Sequence, residues 1–277
     1  MPEGDTIFRA AETLHRAIGG QVVTGFESVF PALMRVHDDA PLTGRTIERV
    51  ESVGKHILMH FSGGDVLRTH MRMNGSWHIY RPGERWKRPR RDMRIVVSTS
   101  AFEAVGFNIP VAEFIRTDRL AKHAGLVRLG PDLLSDTFDP AEAVRRLRAR
   151  GSISIADALL DQRALAGIGN VYKCEVLFLC GVNPFAPVDR IDDAQLAKLV
   201  LTARKLLRVN VSRRLAPMTT YGGLRRTTGR DDPRARLWVY GRTGLACRKC
   251  GTAIQMKKQG NAARVTYWCG TCQPAGP

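Results

Sequence analysis

A chain of 277 residues, 44% of them hydrophobic, is long enough for one large domain or two ordinary ones and has the composition of a soluble globular protein. Its 43 Lys and Arg against 26 Asp and Glu leave a formal charge of +17, which repels itself unless a polyanion relieves it; nucleic acid leads as the partner and an anionic membrane surface follows. No uninterrupted apolar segment is long enough to span a bilayer and no basic-then-apolar signal peptide opens the chain, so the expectation is a cytoplasmic monomer with no membrane partner.

The opening, MPEGDTIFRAAETLHRAIGG, predicts a helix. Ile7, Ala10, Ala11, Leu14 and Ile18 recur at three and four residues, Asp5 is the candidate N-cap and Gly19-Gly20 supplies the stop. Pro2 and Glu3 are then held just outside the helix N-terminus. If Met1 is removed, as the small second residue allows, Pro2 carries a free secondary amine, and the helix dipole and partial burial both favour its neutral, nucleophilic form. An α-amino group titrates near about 8, so a modest downward shift suffices. On these residues alone the simpler reading is preferred, a proline that merely starts a chain beside a surface acid.

The segments KHILMHF, DVLRTHMRM, SWHIY and MRIVVST alternate in period two, divided by Gly63-Gly64, Asn74-Gly75 and the basic stretch RPGERWKRPRRD. They predict an antiparallel β-sandwich over residues 1–122. A linker follows at 123–137, where Leu129-Gly130-Pro131 marks a change to helices: EAVRRLRAR, SISIADALLDQ, NVYKCEVLFLC and DDAQLAKLVLTARKLLRVN, a helical region spanning 138–238. Leu196, Leu199, Val200, Ala203 and Leu207 keep a helical stripe in the last. Between ALLDQ and VYKCE, Gly167-Ile168-Gly169-Asn170 makes a tight turn that opens a helix N-terminus, an anion site suited to a phosphate, with Asn170 as the expected cap. The fold class is α+β, with no internal repeat and no low-complexity tract.

The C-terminal region, 239–277, is read from its cysteines. Cys247 and Cys250 form CRKC, Cys269 and Cys272 form CGTC, and 18 residues separate the pairs. Two such knuckles let four sulfurs converge on one Zn2+ in a closed, structural shell. Cys174 and Cys180, in the apolar run VYKCEVLFLCGV, are expected in the core.

MPEGDT, GKHIL at 54–58, HMRMNGSW at 70–77, ALLDQRALAGIGNVYKCE at 158–175 and the ribbon VYGRTGLACRKCGT with RVTYWCGTCQ together resemble the formamidopyrimidine-DNA glycosylase and endonuclease VIII family, across nearly the whole chain. The resemblance implies an N-terminal catalytic β-sandwich, a helix-two-turn-helix DNA-binding domain and a zinc ribbon, acting on damaged DNA. It implies that Pro2 attacks C1′ of a damaged nucleoside and forms an iminium, that Glu3 is the general acid/base, and that Lys55 assists in positioning the lesion and its phosphate. Without it, Lys55 reads as an exposed strand-end lysine. β-Elimination and then δ-elimination would follow, making one enzyme both glycosylase and lyase.

By the same resemblance Asn170, Lys173 and Arg264 contact DNA, and Arg72, Met73 and Asn74 match endonuclease VIII's inserted triplet, which fills the gap left by an extruded base. Alternation alone would instead put Met73 on the face of Leu67, Thr69 and Met71, in the core. The opening departs from endonuclease VIII proper, which has Pro and Glu where this chain has Asp5 and Thr6. MPEG and the single-hairpin triplet lean toward oxidised pyrimidines over 8-oxoguanine, and the lesion pocket's capping loop is expected in TTYGGLRRTTGRDDPRAR, 219–236. Two other classes are a non-catalytic zinc-ribbon DNA-binding protein, for which Pro2 would form no adduct with abasic DNA, and a basic RNA-associated protein, which would bind duplex RNA as well as damaged DNA.

Overall fold

The opening helix forms where its stripe requires. In the computed structural model, which describes residues 2–212, 225–230 and 232–275, α1 runs Gly4–Ile18 and buries Ile7, Ala10, Ala11, Leu14 and Ile18. Its cap differs from the expectation. Glu3, in extended backbone, is the N-cap, and its carbonyl accepts from Thr6 N and Ile7 N at 2.9 and 3.0 Å. Asp5 lies inside the first turn, where a carboxylate faces the helix's positive end, and it is 3.7 Å from Arg9. Residues 1, 213–224, 231 and 276–277 lie outside the described residues, and with them positions 219–224 and 231 of the expected capping loop.

Among the described residues, 2–127 and 128–275 form two compact units. The first is a pair of antiparallel sheets. Its elements are β1 (Val23–Ser28), α2 (Pro31–Asp39), β2 (Ile47–Val53), β3 (His56–Phe61), β4 (Asp65–His70), β5 (Ser76–Tyr80), β6 (Met93–Thr99), β7 (Glu103–Phe107), β8 (Val111–Arg116), α3 (Thr117–Leu120) and α4 (Ala124–Val127). One sheet has the order β2-β3-β4-β8 and the other β1-β6-β7-β5. Alternation sends Ile57, Met59, Leu67, Trp77, Ile79, Ile95 and Val97 inward, where they bury the stripe of α1. The opposite side of β5, β6 and β7 carries a smaller core of Tyr80, Met93, Val96, Val105 and Phe107, with Trp86 packed on it.

The second unit is helical with one hairpin. Its helices are α5 (Pro140–Arg148), α6 (Ile155–Leu160), α7 (Asn170–Cys180) and α8 (Asp193–Ser212), and its strands are β9 (Gln255–Gln259) and β10 (Arg264–Trp268). Asp139 caps α5 by accepting from Ala141 N and Glu142 N, and Ser154 caps α6 by accepting from Asp157 N. The predicted stripe of α8 is buried throughout, against α5 and α7. A Cβ on Gly130 would lie 2.5 Å from the backbone of Ala164, so only glycine lets this segment run beside the turn that leads into α7. Cys174 and Phe178 of α7 share a core with Val239, Ile254, Cys247 and Cys269, which fastens the ribbon to the helix. Cys180 sits at the edge, half-buried, near Thr202 Oγ1 at 3.5 Å. Among the described residues no helix is long and apolar enough to cross a membrane.

Candidate active site and nucleic-acid interface

Pro2 and Glu3 are both buried at the start of α1, with Glu3 0% exposed. A nitrogen there faces the helix's partial positive charge, which opposes protonation of an amine. Lys55 is half-buried in the β2–β3 turn, where Gly54 takes a φ of +59° that a side chain would resist. Its surroundings are cationic or kept neutral. Burial pushes His56 down to about 3, helped by Arg68, and pushes His70 down to about 4, helped by Lys55. The His56 and His70 rings meet edge to face at 4.7 Å, and His56 Nδ1 has no protein partner. Arg68 pairs with Glu113, to which His123 also approaches at 3.1 Å.

The two depressed histidines make stability depend on pH. Their neutral forms are favoured in the folded state, so their contribution is complete above about pH 6.5 and is lost as pH falls toward 4 and then 3. The melting temperature will therefore fall between pH 6.5 and 4, and His56→Gln will flatten that slope. An unchanged pH profile in the variant would remove His56 from the account.

The loop between β4 and β5 is built to project. His70 Nδ1 accepts from Arg72 N at 3.0 Å, Gly75 N donates to Met71 O at 2.9 Å, and Arg72 is held at a φ of +45°. A Cβ on Gly75 would collide with Met71 O at 2.5 Å. The tight turn breaks the strand alternation, so Met71 is buried while Met73 is 53% exposed and not in the core. Met73 and Asn74 form one wall of a cleft of about 660 Å³ whose other lining residues are Arg88, Arg94, Asn108, Ile109 and Pro110.

In the second unit Gln162 clamps the turn ahead of α7. Its Oε1 accepts from Gly167 N, and its Nε2 donates to Leu160 O and Ile168 O, while Gly167 adopts a φ of +104°. Asn170 does not cap the helix; Gly169 occupies the cap position, and Asn170 Nδ2 donates 2.7 Å to Val265 O. The residue next to exposed Arg264 is thus tied to the start of α7, while Asn170 Oδ1 is buried with no protein partner. Lys173 departs from the expected surface contact. It is 1% exposed, with Nζ 2.7 Å from Thr266 Oγ1 and 3.4 Å from Val265 O, because α7 turns that position onto β10. Its ammonium braces the hairpin that carries Arg264.

The four ribbon cysteines converge. Their sulfurs lie within 4.8 Å of one another, with Cys247 to Cys272 at 3.9 Å and Cys250 to Cys269 at 3.4 Å. Sulfurs tetrahedrally bound at ~2.3 Å stand ~3.8 Å apart, so the set fits one thiolate-bound metal.

Three domain models match in order: the formamidopyrimidine-DNA glycosylase N-terminal domain at residues 1–110, the formamidopyrimidine-DNA glycosylase H2TH domain at 129–220, and the zinc finger found in FPG and IleRS at 244–275. The chain is 43% identical to the probable endonuclease 8 2 of Streptomyces coelicolor, over all of this chain and 95% of that protein. It is 40% identical to endonuclease 8 2 of Mycobacterium tuberculosis, over 99% of this chain and 100% of that one. The chain belongs to the formamidopyrimidine-DNA glycosylase and endonuclease 8 family.

The DNA-(apurinic or apyrimidinic site) lyase Nei2 of Mycolicibacterium smegmatis is a further family relative, 38% identical over 99% of this chain and 100% of its own. A crystal structure of Lactococcus lactis formamidopyrimidine-DNA glycosylase on DNA with an abasic site shares the fold, with a TM-score of 0.82, 23% identity and coverage of 99% and 100%. Within this family fold the sequence reading missed the residues that support the site. Glu175, fully buried, accepts from the backbone amides of Trp238, Val239 and Tyr240 at 2.8–2.9 Å and from the Thr227 hydroxyl. An acid next to the apolar stretch VLFLC of α7 was its only signal. Gln162 and Thr266 gave none.

Proposed function

We propose that this chain is a bifunctional DNA glycosylase and abasic-site lyase that removes oxidised pyrimidines through a Pro2 iminium and cuts the strand by β,δ-elimination. The observation that carries the reading is the buried Pro2-Glu3 pair at the positive end of α1. The Pro2 nitrogen lone pair attacks C1′, the glycosidic electrons leave with the base, and the proton that the nitrogen then sheds goes to the departing base, which restores the lone pair. The C1′–O4′ bond then opens as the nitrogen lone pair forms C1′=N⁺, with Glu3 supplying the proton to O4′. Loss of a C2′ proton expels the 3′ phosphate, a second elimination expels the 5′ phosphate, and water releases the sugar fragment from Pro2. Lys55, at its turn beside two histidines that burial holds neutral, contacts the phosphate of the extruded nucleoside.

The remaining residues serve grip. Arg72, Met73 and Asn74 fill the vacated stack, an exchange that offsets unstacking of a few kcal/mol. Asn170 and Arg264 hold phosphate, and Lys173 acts through β10. Cys247, Cys250, Cys269 and Cys272 would hold one structural Zn2+; their all-thiolate donor set and spacing support it over harder cations.

Lesion class rests on one exposed triplet loop and on the endonuclease 8 names of the relatives. Single-turnover excision of 5-hydroxyuracil, dihydrouracil or thymine glycol will exceed that of 8-oxoguanine opposite cytosine by at least about tenfold, a ~1.4 kcal/mol difference in barrier. Products will carry phosphate at both ends of the gap. A preference for 8-oxoguanine would overturn the lesion class and leave the Pro2 chemistry standing; products ending at β-elimination would overturn the second cut.

A further inference from the structure

The stretch from Arg81 to Arg94 holds seven cationic and two acidic side chains, a density that repels itself, yet it is tied to the second sheet at several points. Trp86 pegs it to the outer core of the second sheet, 5.7 Å from the Phe107 ring and 6.4 Å from Tyr80, with Nε1 donating to Glu103 at 3.3 Å. Lys87 N donates to the Tyr80 hydroxyl at 3.1 Å, and Asn108 N donates to Asp92 O at 2.7 Å. Arg90 covers one face of Trp86 and bonds both oxygens of Glu27, so the indole is not a free platform for stacking. Arg85, Lys87 and Arg91 are left exposed and Arg88 half-exposed. Holding like charges this way gains nothing for folding, and an array of fixed cations matches a phosphodiester chain.

Its position narrows the ligand. Lys55 lies in the turn between β2 and β3, in the first sheet, and the Met73 loop crosses from that sheet to the second, where the Arg81–Arg94 arm joins β5 to β6. Arg88 and Arg94 line the same cleft as Met73 and Asn74, and Arg88 also lines the hollow of the arm itself with Arg85, Trp86 and Lys87. Two non-glycine residues held at positive φ, Arg72 and Asn108, flank the same cleft, as strained backbone does at functional sites. The cations therefore begin at the cleft that the wedge lines, on the second sheet, whereas Lys55 stands on the first.

The geometry points to the arm as a second DNA-binding surface, one that grips the phosphate backbone of the strand opposite the lesion. The inference rests on the glycosylase reading, since it takes Lys55 as the side that handles the damaged strand. Each lost phosphate contact lowers the salt slope of binding by about 0.9.

The test is equilibrium binding to DNA carrying tetrahydrofuran, an abasic analogue that cannot react, so binding is read whether or not Pro2 performs the chemistry. Arg85→Gln with Lys87→Gln and Arg88→Gln leaves the Trp86 peg in place. It is expected to weaken duplex binding about 10–100-fold near 0.1 M salt and lower the slope by two to three, while binding to the lesion strand alone changes less than about threefold. Arg16→Gln with Arg35→Gln and Arg119→Gln removes the same charge elsewhere on this unit and is expected to have little effect. No loss on duplex, or an equal loss in that control, would overturn the arm as a site. An equal loss on single strands would overturn its assignment to the opposite strand.

Discussion

Borohydride will trap the processed protein on a duplex with one abasic site, and retention of Met1 or an N-terminal tag will abolish the adduct. The reason is the hydrogen count on nitrogen. An iminium forms only from an amine with a free lone pair, and an acylated Pro2 has none to give. Pro2→Gly keeps an amine but loses the ring that fixes it ahead of Glu3, so trapping is expected to slow on the order of 10³-fold, about 4 kcal/mol of barrier. Glu3→Gln will slow opening of the C1′–O4′ bond, and with it formation of the trappable iminium, by about 10²–10⁴-fold, the range of a lost general acid, while the amine remains. The pair separates nucleophile from proton donor. A tagged chain that traps at the native rate would refute Pro2 as the nucleophile and redirect attention to a lysine.

Removing the ribbon metal will cost most of the DNA affinity. Cys269→Ser or Cys247→Ser is expected to lose about one zinc per chain and at least about 100-fold in binding, because a structural site of this kind contributes about 10–16 kcal/mol to its own folding. The loss passes through the hairpin. Val265 and Thr266, which receive Asn170 and Lys173, lie just before Cys269, so a loosened knuckle releases those bonds and leaves an ammonium buried beside moving partners. Arg264→Ala is the contrast: zinc retained, binding weaker, salt slope lower by about one. Zinc content and anisotropy titrations on the three variants decide it. Full affinity in the metal-free protein would refute the coupling.

The sequence made α1, four strands, the main helices and the metal cluster legible, since each rests on spacing that side-chain chemistry enforces. The missed strands of the first unit had weaker patterns: β1 and β7 are interrupted by Gly25 and Gly106, and β2 and β8 mix charges into the alternation at Glu48, Arg49 and Glu113. Caps were misread at Asp5 and Asn170 because residue type alone does not fix where a helix begins. The cap of α1, Glu3, lies two residues before the expected Asp5, and the cap of α7 is the glycine before Asn170. Met73 was ambiguous until the turn at Arg72 broke the period of two. The burial of Lys173 depends on β10, 93 residues away, which no local pattern reports.

Glu175 makes the ribbon a poor candidate for exchange between proteins. Its carboxylate closes three amides at the ribbon's entrance, and a transplanted ribbon would bring those amides to a scaffold with nothing to receive them. A chimera would have to import α7 together with its cysteines, so the smallest transferable cassette spans from the GIGN turn to the last knuckle. Inheritance in this lineage should therefore join changes in the apolar helix to changes in the metal-binding tail, two stretches that sequence distance would treat as independent.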